Sequence, residues 1–133
     1  MKIPSKKIVI ADDDYDDIEL FQTALMEICP DHELTIAQDG ISLLEILTNI
    51  ERPYAIVLDL NMPGKSGKQC LKEIRSRKEL EGVPIIILST SSFQGDIQYC
   101  LAEGATQYLV KPTSFPALKK IAYNICNGKL LSN

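Results

Sequence analysis

The sequence predicts an open α/β sheet of parallel strands with helices on both faces. Three observations support this. Five short apolar runs alternate with five segments whose apolar residues recur at helical spacing. The runs are apolar without polar alternation, above all Pro84-Ile85-Ile86-Ile87-Leu88, as strands covered on both faces are. The length of 133 residues, with 45% hydrophobic and 24% charged residues, suits one domain with a single substantial core.

Residues 7–11, Lys-Ile-Val-Ile-Ala, form the first expected strand, and Asp12-Asp13-Asp14 follow directly. Ile18, Phe21, Leu25 and Ile28 then give a helical stripe that Pro30 ends. Residues 33–37 read as a short second strand. Asp39-Gly40 breaks it, and Leu43, Leu44, Leu47 and Ile50 carry the next helix. Residues 54–58 are the third strand, ending against Asp59, and the chain turns on Pro63 and Gly64. Ser66 caps the third helix with Gln69 three residues on, a capping box, and Cys70, Leu71 and Ile74 form its buried face. Residues 84–88 are the fourth strand. Ile97, Cys100 and Leu101 mark a shorter helix stopped at Gly104. Residues 107–110 are the fifth strand. Ser114 caps the last helix, Pro116 lies in its first turn, and Leu118, Ile121, Ala122 and Ile125 face inward before Asn127-Gly128.

Composition excludes several classes. A net charge of −4 and the lack of a basic stripe argue against direct nucleic-acid binding. No apolar run reaches the span of a bilayer, and the start has no apolar segment behind its charges. No membrane association is expected, and the cytoplasm is the expected location. The four cysteines, Cys29, Cys70, Cys100 and Cys126, are scattered without a C-x-x-C pair, and His32 is the only histidine, which disfavours zinc. Cys70, Cys100 and Cys126 fall among apolar helical residues and are expected to be reduced core residues.

The chemistry lies in where the polar residues fall. Asp12, Asp13 and Asp14 follow strand one, Asp59 ends strand three, Ser89 to Ser92 follow strand four, and Lys111-Pro112 follow strand five. In a parallel sheet these carboxyl ends share one edge, the edge where open α/β sheets bind ligands. Each residue alone has an ordinary reading as turn, cap or surface lysine. Together they form an all-oxygen site for a hard divalent ion such as Mg²⁺, with a lysine and a hydroxyl beside a carboxylate nucleophile. Phosphoryl transfer needs little more than this positioning and neutralisation, and attack by a carboxylate yields an acyl phosphate.

At these residues the chain resembles the receiver domain of bacterial two-component response regulators, in its single-domain, chemotaxis-type form. The motifs are the Asp pair, the Leu58-Asp59-x-x-Met62-Pro63-Gly64 turn, Ser89, and Lys111-Pro112, and the likeness runs from about residue 6 to about residue 128. The resemblance implies a flavodoxin-like (βα)₅ sheet in strand order 2-1-3-4-5, with residues 1–133 as one receiver domain and no output domain. It implies Asp59 as phosphoacceptor. Asp13 would be a direct ligand of Mg²⁺ (or Mn²⁺), Asp12 an acid acting through metal-bound water, and the Asn61 carbonyl a further ligand. Ser89 would be the switch hydroxyl, Lys111 the phosphoryl-pairing lysine and Tyr108 the switch aromatic. A cis peptide before Pro112 would aim Lys111 inward. Asn61 and Ser91 would tune dephosphorylation. Asp14 leaves the register of the acidic pair open by one residue, and Ala11 as the last strand residue favours Asp12 and Asp13. Thr90 competes with Ser89, and the spacing from Pro84 favours Ser89.

The implied function is a phosphorylation switch, not a turnover enzyme. The phosphoryl donor would be a histidine kinase or histidine phosphotransfer protein. The helix four, strand five and helix five face would change for a downstream partner or a homodimer. A phosphorelay shuttle and a phosphorylation-independent interaction module stay open. A haloacid-dehalogenase-type phosphatase fits poorly, because Asp59-Leu60-Asn61 lacks its second aspartate. Gly64-Lys65-Ser66 fails the P-loop spacing, and three aspartates after strand one would repel a flavin phosphate.

Overall fold

A computed structural model describes residues 6–130. Its five strands are β1 (Lys6–Ala11), β2 (His32–Ala37), β3 (Ala55–Leu58), β4 (Ile85–Ser89) and β5 (Gln107–Val110). The helices are α1 (Tyr15–Ile28), α2 (Gly40–Asn49), α3 (Gly67–Ser76), α4 (Gln94–Ala102) and α5 (Phe115–Cys126). All strands pair in parallel, in the order β2-β1-β3-β4-β5. The expected fold class and strand order are therefore those of the structure. Boundaries differ by a residue: β4 starts after Pro84, which has no N–H for a ladder, and runs on to include Ser89.

The pleat sorts the core. Ile8 and Ile10 of β1 face α1 and α5, where they meet Phe21, Leu25, Leu118 and Ile125. Val9 and Ala11 face the other way, into a layer closed by Leu43, Leu47, Leu71, Ile74 and Cys100 of α2, α3 and α4. Every residue of β3 and β4 is buried, as continuous apolar runs require. Capping follows the sequence as well. Ser66 and Gln69 form the complete capping box of α3, and Ser114 caps α5 with Pro116 in its first turn. Among the described residues no helix is long and apolar enough to cross a membrane.

Cysteine is where the structure departs from expectation. Cys126, expected to be reduced, is bonded to Cys29, with Cα atoms 6.3 Å apart. Cys29 caps the C-terminus of α1 and Cys126 is the last residue of α5. Packing of those two helices side by side brings together residues 97 apart in sequence. Cys70 and Cys100 are free and fully buried, and burial pushes each thiol up to about 11. A thiol titration is expected to find neither group in the native protein at pH 8, because both are buried and protonated there. The denatured, unreduced chain should give two thiols and the reduced chain four.

Candidate functional site

The site is assembled by hydrogen bonds that carry the sheet pattern just past its strands. The Asp12 N–H donates to Ala37 O at 3.0 Å, the Asp59 N–H to Ala11 O at 2.9 Å, and the Lys111 N–H to Ser89 O at 2.8 Å. Each residue is thereby fixed at its strand end, and Asp12 and Asp59 lie at the crevice where β1 and β3 lead their chains away in opposite directions.

Asp14 settles the register of the acidic run. Its carboxylate accepts from the Asp16 and Asp17 N–H groups and caps α1. That leaves Asp12 and Asp13 beside Asp59, and the three offer carboxylate oxygens that all lie within 4.8 Å of one another. Asp12 and Asp59 are buried and Asp13 is exposed, so the cluster opens to solvent on one side. Burial raises the Asp12 pKa above its ordinary value, against the Asp14 N–H and Lys111, which both favour the carboxylate; the charge on Asp59 raises it further. Three hard oxygen donors, crowded and open on one side, fit a divalent ion that keeps some of its water. Asn61 lies exposed two residues past Asp59.

Lys111 reaches into this cluster. Its Nζ lies 2.9 Å from Asp12 Oδ2 and 3.4 Å from Asp59 Oδ2. The shortest contact is with a residue the sequence did not single out: Asp17 Oδ2, in the first turn of α1, at 2.6 Å. Burial alone would lower the ammonium's pKa, yet the bonds to Asp17 and Asp12 and the charge of Asp59 together hold it well above its ordinary value. The peptide before Pro112 is trans, not cis as expected; there is no cis bond among the described residues. The trans form is the intrinsically favoured one for an X–Pro bond, and here it already lets Lys111 reach three carboxylates.

Ser89 is fully buried and Thr90 is exposed, so the two adjacent hydroxyls lie in different surroundings. Ser89 Oγ accepts from the Ser91 N–H at 3.2 Å. Ser91 links several parts of the loop: its hydroxyl donates to Asp96 Oδ2 at 2.6 Å, and its carbonyl accepts from the Tyr108 hydroxyl at 2.8 Å. Tyr108 is the residue that the resemblance makes the switch aromatic. Here it is already buried and tied to the loop after β4.

The turn after Asp59 depends on two glycines. Gly64 has φ +77°, a conformation L side chains rarely adopt. Gly67 opens α3 against the Asp59 backbone, where an added Cβ would lie 2.2 Å from Asp59 O. Gly67→Ala is therefore expected to destabilise the fold by ~2–3 kcal/mol, through displacement of the backbone at Asp59. Denaturant unfolding checks this, and an unchanged midpoint would refute it. Gly67 is not among the residues the sequence singles out; the need for glycine arises from the close approach of the Asp59 backbone just past the end of β3.

Comparison with known proteins agrees with this geometry. The response regulator receiver domain model matches residues 8–123. Response regulator Rcp1 of Synechocystis is 33% identical over 128 residues, covering 92% of this chain and 87% of that one. The phosphorylated cyanobacterial phytochrome response regulator RcpA superposes with a TM-score of 0.84 at 34% identity, covering 91% of each chain. The Mn²⁺-bound form of Rcp1 gives 0.83 at 31% identity, covering 96% of each. With a sheet in this order and an acidic cluster at its switch point, the chain belongs to the response regulator receiver domain family.

Proposed function

We propose that the chain is a phosphorylation switch in which Asp59 accepts a phosphoryl group from a phosphohistidine of a histidine kinase or histidine phosphotransfer protein. The observation that carries this is the meeting of Asp59 with Asp12, Asp13 and Lys111 at one strand-end crevice. A carboxylate oxygen of Asp59 attacks phosphorus, the P–N bond to the donor imidazole breaks, and an acyl phosphate remains on Asp59. Asp12, Asp13 and Asp59, with the Asn61 carbonyl, would hold a divalent ion, Mg²⁺ or Mn²⁺. When bound, that ion supplies charge neutralisation between the carboxylates and the incoming phosphoryl oxygens. Lys111 provides a fixed positive charge at the same oxygens.

Ser89 then carries the signal. Its hydroxyl donates to a phosphoryl oxygen, and the bond from the Ser91 N–H holds the next residues to that movement. Tyr108 follows Ser91 through its own hydrogen bond, so β5 and α4 are coupled to the site. Phe93 before α4 and Val110 at the end of β5 are exposed apolar groups on the face that would change. A partner protein or a second copy that prefers one form of this face shifts the two-state equilibrium, and the phosphoryl group does the same from the other side. Asn61 and Ser91 flank the acyl phosphate and would set water access to it. The chain acts in this reading as the input of a switch, not as a catalyst that turns over an external substrate.

The test is incubation with acetyl phosphate and Mg²⁺, followed by intact mass. The mass of one phosphoryl group should appear, and chelation of the metal should prevent it. Partner capture with and without beryllofluoride then identifies the reader. Failure to gain a phosphoryl group from either acetyl phosphate or a phosphohistidine donor overturns the reading.

A further inference from the structure

Asp17 occupies a place the switch mechanism above does not use. Lys111 has three N–H donors and three carboxylate partners: Asp17 at 2.6 Å, Asp12 at 2.9 Å and Asp59 at 3.4 Å. The longest contact is the one to the acceptor. The Asp17 side chain comes from the first turn of α1 and is bonded to a lysine 94 residues away.

We infer that Asp17 is a positioning residue that holds the Lys111 ammonium off Asp59 and competes with the incoming phosphoryl group for it. This rests on Asp59 being the phosphoacceptor. Exposure separates the partners. The Asp17 side chain is 36% exposed, against 5% for Asp12 and 7% for Asp59. Water can take over the contacts of Asp17, so this bond is the cheapest of the three to give up. A phosphoryl group on Asp59 brings nearly two negative charges and three acceptor oxygens. The ammonium then moves toward β3 and the Asp17 bond lengthens or breaks. Asp17 therefore sets how much attraction a phosphoryl group must exert before Lys111 joins it. It also ties the start of α1 to the site only in the unphosphorylated form.

Asp17→Asn removes the competitor but leaves Lys111 held by Asp12 and Asp59, so phosphoryl mimics should bind more tightly. An exposed ion pair sets the scale at roughly two- to fivefold. Asp17→Glu keeps the charge and should stay near the parent affinity.

The experiment is a beryllofluoride titration with Mg²⁺ present, read from the Ser89 and Tyr108 amide resonances. It compares the parent chain with Asp17→Asn, Asp16→Asn, Lys111→Met, and Asp17→Asn combined with Lys111→Met. Lys111→Met keeps the aliphatic stem; Lys111→Gln takes its place if the amide spectrum shows an unfolded chain. The expected result is tighter binding in Asp17→Asn, none of that gain in Asp16→Asn, and no gain when Lys111 is already gone. Unchanged or weaker binding in Asp17→Asn overturns the inference. So does an equal gain in Asp16→Asn or in the Lys111→Met background, which would mean diffuse charge alone. If the parent chain gives no response, or Asp59→Asn responds as the parent does, the phosphoacceptor reading fails and this inference falls with it. A parent response with no Asp17 effect sinks the inference alone.

Discussion

Asp59→Asn is expected to abolish phosphoryl acceptance while leaving the fold intact. The amide retains an oxygen that can accept the Leu60 N–H, which donates to Asp59 Oδ1 at 2.8 Å. It keeps the side-chain shape between β1 and β3, and Lys111 keeps Asp12 and Asp17. Stability should therefore change by no more than ~1 kcal/mol. Chemistry is another matter. The amide is a far weaker nucleophile than a carboxylate, and the cluster loses one of its three anionic oxygen donors. Phosphoryl incorporation from acetyl phosphate should fall below detection, and the Ser89 and Tyr108 resonances should no longer respond to beryllofluoride. Intact mass and amide spectra make the comparison. A variant that still gains a phosphoryl group, or still responds to the mimic, would falsify the assignment of Asp59. Loss of phosphoryl acceptance together with loss of fold would not be the expected pattern, and thermal unfolding separates the two.

Opening the Cys29–Cys126 bond is expected to have the largest effect on stability. The bond closes a loop of 97 residues of the 133 in the chain. Restricting so long a loop in the unfolded chain stabilises the native state by about 4.7 kcal/mol on the chain-entropy account. For a domain of this size the melting temperature should fall on the order of 10 °C on reduction. Cys126→Ala should reproduce the loss without reductant, and reductant should then have no further effect on it. The sheet and the Asp59 cluster should survive, because the bond ties α1 to α5 at the ends remote from the site. A melting temperature equal in reduced and unreduced protein would show that the two sulfurs do not form this bond in solution.

Much of the fold was legible because its signals are local. Strand and helix periods, Ser66 with Gln69, and Ser114 before Pro116 each depend on residues within one turn of one another. The candidate site was legible for a topological reason. In a parallel sheet every strand delivers its next residue to the same edge. Asp12, Asp59, Ser89 and Lys111 could thus be placed together without a single distance. Asp14 was ambiguous because capping and metal binding ask for the same residue type; only the direction of its hydrogen bonds separates them. Asp17 carried no distinguishing signal. An acidic residue in the first turn of a helix is what the helix dipole alone would favour.

The sequence by itself determined the order of strands and helices, which faces are buried, and which chemical groups arrive at the carboxyl edge. Those properties follow from short-range periodicity and from the handedness of β-α-β connections, which hold wherever such a pattern occurs. Tertiary structure alone decided the pairings. Lys111 meets Asp17 across 94 residues, Cys126 finds Cys29 across 97, and Tyr108 is held by Ser91. It also decided that Gly67 must be glycine and that the bond before Pro112 is trans. The first two turn on a few ångströms between elements distant in the chain, set by how the helices pack on the sheet.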